Sequence, residues 1–447
     1  MVATPNHNHP IVIVGGGLAG LAAAVQLTSS GVPVVVCEQR ARVGGRVASF
    51  IDRVTGDEVD NGQHLLIAGY GRTLAFTATV GSGHLLRVQE RPALTYHHPS
   101  RGFVSFTLPR LMPPVNLAWG IATSSLFSFT ERLAVLRAGI AMQRDADPRF
   151  RVDGAGTVAE WLDHTRQPAS VRMSFWAPLA VSIMNERVET VQAGAFLEAL
   201  RIAFLGHWHA AALVFPQAGL SRIFAEPAVR CIEAHGGIVR TGTATRSCVV
   251  ENGRVTAVTL ADGSALPCSA VVLAVPHDEA AALMPAAAGA MANVDRMAHA
   301  PGSPIVSMHL WFREPFMDQD AVGSIGTTIH WVFRRDRHVA VTISAAHDTV
   351  DRTKDELVAI AVADLRAVFG PRVGTPYHAL VIRERAATVS LRPDTVLARP
   401  GARTALPNLF LAGDWTATGL PATIEGAIRS GEEAARQVAG AAGLHMV

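Results

Sequence analysis

Ile11 to Val14 is an unbroken apolar run, followed by Gly15-Gly16-Gly17-Leu18-Ala19-Gly20 and the Ala/Leu-rich stretch Leu21 to Thr28. A short apolar run bounded by glycines predicts a buried strand, and the longer stretch, closed by Gly31, predicts a helix with a glycine cap. Val34 to Cys37 predicts a second strand that delivers Glu38 to its carboxyl end, completing a βαβ opening. Ile238 to Thr241, Ala244 to Val250 and Val255 to Leu260 predict strands, the last two joined through Asn252-Gly253, a strong hairpin signal. Asp262-Gly263 predicts a turn into the strand Ala270 to Val275. Leu409 to Ala412 predicts a last strand, and a final helix runs from Thr423 onward. Asp351 to Phe369 places Leu357, Ala361, Leu365 and Val368 on one helix face. Gly154 and Gly156 precede Thr157 and Glu160, a capping-box pair that punctuates another helix.

No window offers the ~18 uninterrupted apolar residues of a spanning helix. The nearest is Pro114 to Phe129, with Trp119, Leu126, Phe127 and Phe129 among small polar residues, which suits lying on a membrane rather than crossing it. The N-terminus, Met1 to Pro10, lacks the basic and apolar regions of a signal peptide, so a cytoplasmic protein is expected.

Composition narrows the class. The 447 residues suit two to three domain-sized units, and they are 49% hydrophobic but only 17% charged, against roughly a quarter charged in an average globular protein. The net charge of +2 and the absence of a dense Lys/Arg block argue against nucleic-acid binding. Cys37, Cys231, Cys248 and Cys268 contain no C-x-x-C pair and read as buried reduced thiols; no metal site is expected.

A lone G-x-G-x-x-G is weak evidence, but here Gly15, Gly17 and Gly20 lie between a strand and a helix, with an acid ~20 residues on. Gly15 permits the tight turn, Gly17 admits a pyrophosphate to the backbone, and Gly20 allows close packing of helix on strand. The helix N-terminus at Leu18 and Ala19 faces phosphate charge, while Glu38 accepts ribose hydroxyls and disfavours a 2′-phosphate. No second fingerprint suggests NADPH.

Two further motifs carry a resemblance. The run Glu38-Gln39-Arg40-Ala41-Arg42-Val43-Gly44-Gly45-Arg46 is similar to the second FAD motif of the amine-oxidase and phytoene-desaturase superfamily. Gly413-Asp414 followed by Gly419-Leu420-Pro421-Ala422-Thr423-Ile424-Glu425-Gly426-Ala427 resembles its C-terminal flavin motif. The resemblance implies FAD, with Arg42 and Arg46 approaching ribose and pyrophosphate, Gly44 and Gly45 beside them, and Asp414 on the ribityl or pyrophosphate part. Ala422, Thr423 and Ile424 then meet the flavin, and Gly62 and Thr245 join the expected cofactor contacts. The fold it implies is α/β plus α+β, amine-oxidase-like. A discontinuous Rossmann-like FAD-binding domain is assembled from 1–75, 205–280 and 400–447, and a substrate-binding domain from 76–204 and 281–399, with 108–129 as its membrane-contacting segment.

Within that superfamily, Asp60-Asn61-Gly62-Gln63-His64-Leu65-Leu66 and Phe215-Pro216-Gln217-Ala218-Gly219-Leu220 resemble the hydroxysqualene dehydroxylases. That resemblance implies reductive removal of a hydroxyl from a long isoprenoid lipid. It further implies a peripheral site on the inner face of the cell membrane and coupling to other enzymes of squalene synthesis. Carotenoid-type desaturation remains the alternative, because fold and motifs do not separate the two. A lysine-type amine oxidase is disfavoured: the chain has one lysine, Lys354, on the amphipathic helix above. A non-enzymatic flavin or lipid binder is a third reading. His64 is the catalytic candidate, as a proton relay near neutral pH or as a ligand of cofactor or backbone. Asn185, Trp208 and His209 are candidate pocket residues, with Trp208 more suited to packing.

Overall fold

The runs IVIV and VVVC have no polar position to offer solvent, so they suit the middle of a parallel sheet covered on both faces, and they lie there. The computed structural model describes residues 9–144, 147–286 and 292–443; Met1 to Asn8, most of the N-terminal stretch read above, lie outside the described residues. A five-stranded parallel sheet runs in the order Ile238–Arg240, Val34–Cys37, Ile11–Val14, Ala270–Leu273, Leu409–Leu411. Three distant parts of the chain therefore share one sheet. The helix Leu18–Ser29 packs on the final helix Ile424–Ala442. It begins before Leu21 because Gly17 itself is the N-cap, and it ends at Ser30, with Gly31 at φ 75°. Beside the sheet stands the hairpin Thr245–Glu251/Arg254–Leu260, whose Asn252 and Gly253 have φ 51° and 74°, the left-handed pair its turn requires.

A second sheet of seven strands was not read from the sequence. Its order is His378–Val389, Gly302–Trp311, Val339–Ile343, Trp331–Arg334, Ala321–Ser324, Ala93–His98, Gly102–Thr107. The helix Lys354–Phe369, opened by a Thr353/Glu356 capping box, buries Leu357, Ala361, Leu365 and Val368, as its periodicity predicts. Lys354 is exposed. The Thr157/Glu160 capping box also forms, opening the helix Val158–His164.

The apolar stretch from Pro114 is not one continuous element. Val115–Thr123 is a helix, residues 124–128 break it, and Phe129–Arg144 starts a second. The break turns Leu126 and Phe127 inward, where Phe127 meets Phe175 edge to face at 5.2 Å. Grouping these two with Trp119 as surface residues is thereby corrected. The exposed apolar side chains here are Leu111, Met112, Val115 and Trp119, then Phe129, Leu133 and Ile140 on the second helix. Among the described residues no helix is long and apolar enough to cross a membrane.

Candidate active site

One cavity of about 820 Å³ is lined from both sheets and the helices between them, within the ~300–1,000 Å³ usual for small-molecule sites. The strand-to-helix turn after Val14 supplies its first wall. An added Cβ at Gly17 would meet nothing within 4 Å, so the backbone there faces open space. At Gly20 it would lie 2.0 Å from the Gly15 carbonyl oxygen, so only glycine lets the helix sit this close to the turn. Gly15, Gly17, Leu18, Ala19, Glu38, Arg42, Gly44, Gly45, Arg46, Gly62, His64, Thr245, Gly413, Asp414, Ala422, Thr423 and Ile424 all line the cavity. Gly20 does not: it belongs behind the turn, as a packing residue rather than a cofactor contact.

Glu38 is buried at the end of its strand, accepting hydrogen bonds from the backbone N–H of Gly16 at 2.8 Å and of Arg40 at 2.9 Å. Arg46 bridges the N-terminal and C-terminal motifs, donating to Asp414 at 2.6 Å and to the Ala387 carbonyl at 2.8 Å. The Asp414 carboxylate raises the pKa of the Arg46 guanidinium above its ordinary value. Arg42 extends over the Phe50 ring, 6.0 Å from its centroid. The C-terminal wall is the N-terminus of the helix Ile424–Ala442, where the Thr423 side chain accepts from the Gly426 N–H.

His64 is partly buried, and desolvation lowers its pKa below the ordinary imidazole value. Asp60 opposes that shift, Arg46 reinforces it, and a hydrogen bond with the Arg46 backbone opposes it. The loop carrying His64 is held at both ends. The Asp60 carboxylate accepts from Ser49 Oγ at 2.7 Å and from the Leu220 N–H at 2.9 Å, while Arg335 donates to the Gln63 side chain.

The far part of the cavity is apolar, lined by Leu94, Leu179, Ile183, Ile202, Phe204 and neighbours. Asn185 also lines it, in a left-handed conformation that ends the helix Ala177–Met184. Trp208 and His209 do not line it: Trp208 packs under the Arg110 guanidinium, and His209 bonds the Gln89 carbonyl.

Two residues escaped the sequence reading. His277 lines the cavity, and its buried Nδ1 has no partner, a property shared by Thr245 Oγ1 and Thr342 Oγ1. Buried polar atoms are nearly always paired, so these three are open to ligand polar groups. Arg399 is buried and donates to the carbonyls of Asp414 and Leu420 at 2.8 and 2.6 Å, which clamps the C-terminal loop. Nothing at the sequence level marks Arg399, whereas His277 directly follows the strand-ending Val275-Pro276. Among the described residues no group of His, Cys, Asp and Glu side chains could hold a metal ion.

The sequence pattern of the family described as flavin containing amine oxidoreductase matches residues 18–439. The chain is 32% identical to the hydroxysqualene dehydroxylase of Sinorhizobium fredii and 30% identical to that of Rhodopseudomonas palustris, each match covering 95% of this chain and 96% of the relative. The 15-cis-phytoene desaturase of Glycine max is 22% identical, over 96% of this chain and 79% of that protein. An oxidoreductase from Methanosarcina mazei superposes with a TM-score of 0.73 at 18% identity, over 95% of this chain and 99% of that one.

Proposed function

The chain belongs to the flavin-containing amine oxidoreductase family, and from that premise we propose that it converts hydroxysqualene to squalene and water with FAD as its cofactor. The observation that carries this reading is a single cavity that joins a dinucleotide cradle to an apolar chamber, with His64 in its wall. Desaturation is disfavoured because identity is higher to the dehydroxylases than to a phytoene desaturase. Lysine-assisted amine oxidation is disfavoured because Lys354 lies on an exposed helix face and does not line the cavity.

The residues present fit FAD. The open backbone at Gly17 takes the pyrophosphate and Glu38 the ribose hydroxyls. Arg42 and Arg46 carry compensating charge, and Thr245 and His277 offer polar atoms that have no partner within the protein. Gly44, Gly45, Gly62 and Gly413 line the cavity and would lie along the cofactor, and Asp414, Ala422, Thr423 and Ile424 would lie at its flavin end. Residues 1–75, 205–280 and 400–447 then act as the FAD-binding domain, and 76–204 with 281–399 as the substrate domain. When bound and reduced, FAD supplies the hydride.

The chain's own part is protonation and exclusion of water. His64 as imidazolium gives its proton to the allylic hydroxyl, the C–O bond breaks with its electron pair on oxygen, and water leaves. The apolar chamber shields the allylic cation from being recaptured by water until hydride reaches it. Because burial lowers the His64 pKa, the proton-donating form is depleted as pH rises through a value below ~6.5, so turnover falls on the alkaline side.

Two exposed apolar patches stand here: Val115 and Trp119 at helical spacing with Met112 just before their helix, and Phe129, Leu133 and Ile140 at helical spacing on the next helix. We assign them to the membrane surface at the inner face of the cell membrane, where a water-insoluble substrate arrives from other enzymes of squalene synthesis. The deciding assay is anaerobic: reduced holoenzyme with hydroxysqualene yields squalene, and oxidised holoenzyme with squalene or phytoene yields no new double bond. Only the second activity appearing would overturn the reading. His64→Ala should cut the rate by roughly 10²–10⁴-fold, and full turnover in it would remove His64 from the mechanism.

A further inference from the structure

We propose that a small polar cavity behind His64 is a water and proton port, separate from the apolar chamber that admits the lipid. The inference rests on His64 being the proton donor argued above. The side cavity measures about 60 Å³, room for about two waters at ~30 Å³ each. Gln63, His64, Leu65 and Phe333 line both cavities and so form the wall between them. His64 therefore has access to both spaces.

The remaining walls suit water. Arg87, Gln217, Asp320, Arg334 and Arg335 surround the space, offering the several polar partners that a buried water needs. Its outer rim is an ion-paired cluster in which Asp320 accepts from Arg87 at 2.7 Å and from Arg334 at 2.9 Å. These three side chains are each more than one-third exposed, and Gln217 is exposed beside them, so the far end meets solvent. Arg335 holds the inner end, bonded to Gln63 and 3.6 Å from Asp60. The charges facing His64 are thus Asp60 and Arg46 from its own surroundings and Arg335 from across the side cavity, with Arg87, Asp320 and Arg334 beyond.

The reaction needs such a path. Each turnover takes one proton from His64 to the substrate hydroxyl, breaks one C–O bond, forms one C–H bond with hydride from reduced FAD and releases one water. Neutral His64 must then regain a proton from solvent. A lipid-filled apolar chamber conducts neither protons nor water, and water on that side would recapture the cation. A short water file reaching the other side of the imidazole supplies the proton and drains the product.

The test plugs the rim. Gln217→Trp, a surface change, should leave the first anaerobic turnover of reduced enzyme within about twofold of wild type but slow later turnovers about tenfold under excess dithionite, giving a burst of one squalene per FAD. Asp320→Trp, on the same rim, should do the same and serves if Gln217→Trp does not fold. Unchanged steady-state turnover in a folded, flavin-replete plug variant overturns the port. A crystal structure of the holoenzyme should place ordered water in the side cavity, and a dry or lipid-filled cavity there overturns it as well. Failure of the parent reading is distinguishable: wild type would make no squalene, or His64→Ala would keep its first turnover, before any plug variant is compared.

Discussion

Replacing Trp119 and Phe129 together by serine should weaken membrane binding without destabilising the protein, whereas Phe127→Ser should destabilise it strongly. The two classes are close in sequence and opposite in environment: Trp119 is 56% and Phe129 72% exposed, against 3% for Phe127. Taking ~200 Å² for each aromatic side chain, the exposed pair offers about 110 and about 140 Å² to lipid. At ~25 cal/mol per Å² that is about 6 kcal/mol for full immersion, and about 3 kcal/mol if the patches sink only halfway into the interface. The double variant should therefore bind liposomes about 100-fold more weakly, while its denaturation midpoint stays near that of wild type, since surface substitutions cost within about ±0.5 kcal/mol. Phe127→Ser removes a ring packed on Phe175 and buries a hydroxyl, which should cost about 3–5 kcal/mol. Flotation with anionic liposomes reads the first quantity and urea denaturation the second. A double variant that floats like wild type while equally folded would refute the membrane assignment.

Gly17→Glu should fold and lose its flavin, because its side chain enters open cavity space where the pyrophosphate belongs; a variant preparation with one FAD per chain sinks the cradle. Glu425→Ala should lower stability by about 2–3 kcal/mol, since this buried carboxylate accepts from the Arg72 and Thr73 N–H groups and from Thr73 Oγ1, capping the helix Gly71–Thr79 from a distant segment; an unchanged urea midpoint would contradict it. Acid should destabilise the fold early. Burial pushes the pKa of His330 down to about 4 and that of His338 to about 3, both below the ordinary ~6.5, so the unfolded chain binds more protons between those limits. The linked loss is absent above about pH 6.5 and grows as pH falls towards 4 and then 3. Urea midpoints at pH 7.5 and pH 5 should therefore differ, and identical values would refute the neutral buried histidines.

The parallel sheet was legible because four of its five strands, Ile238–Arg240 excepted, are unbroken apolar runs. The seven-stranded sheet was not, and Gly302–Trp311 shows why. Its sequence, GSPIVSMHLW, mixes polar positions into a strand whose Ser303, Ser307 and His309 are nonetheless buried. Each polar group there needs a partner from elsewhere: Ser303 donates to the Asn185 carbonyl, and His309 joins His338 at 2.9 Å and the Asp60 carbonyl at 3.0 Å. Period-two patterning fails when tertiary contacts, not solvent, satisfy the polar side. The membrane segment failed differently. Trp119 and Leu126 are seven apart and would share a face on one helix, but residues 124–128 are not helical and swing Leu126 inward.

The same distinction explains how the loop from Asp60 to His64 could be singled out by its residues while its role stayed open. Its sequence contains the chemistry, an acid, an amide and an imidazole, and Asp60 acts on the imidazole from within the loop, but the burial that shifts it most and the Arg46 charge come from elsewhere in the chain. Arg46 arrives from the second glycine motif, Arg335 from the turn after Trp331–Arg334, and the Leu220 N–H from the segment after Leu213–Pro216. Of these, Arg46 acts on the acidity of His64 directly, whereas Arg335 and the Leu220 N–H hold its loop through Gln63 and Asp60, and they arrive from 18 to 271 residues away. A sequence can therefore single out a candidate proton donor by type and neighbourhood, while the side chains that would serve it, meeting across three segments, come together only once those segments are packed.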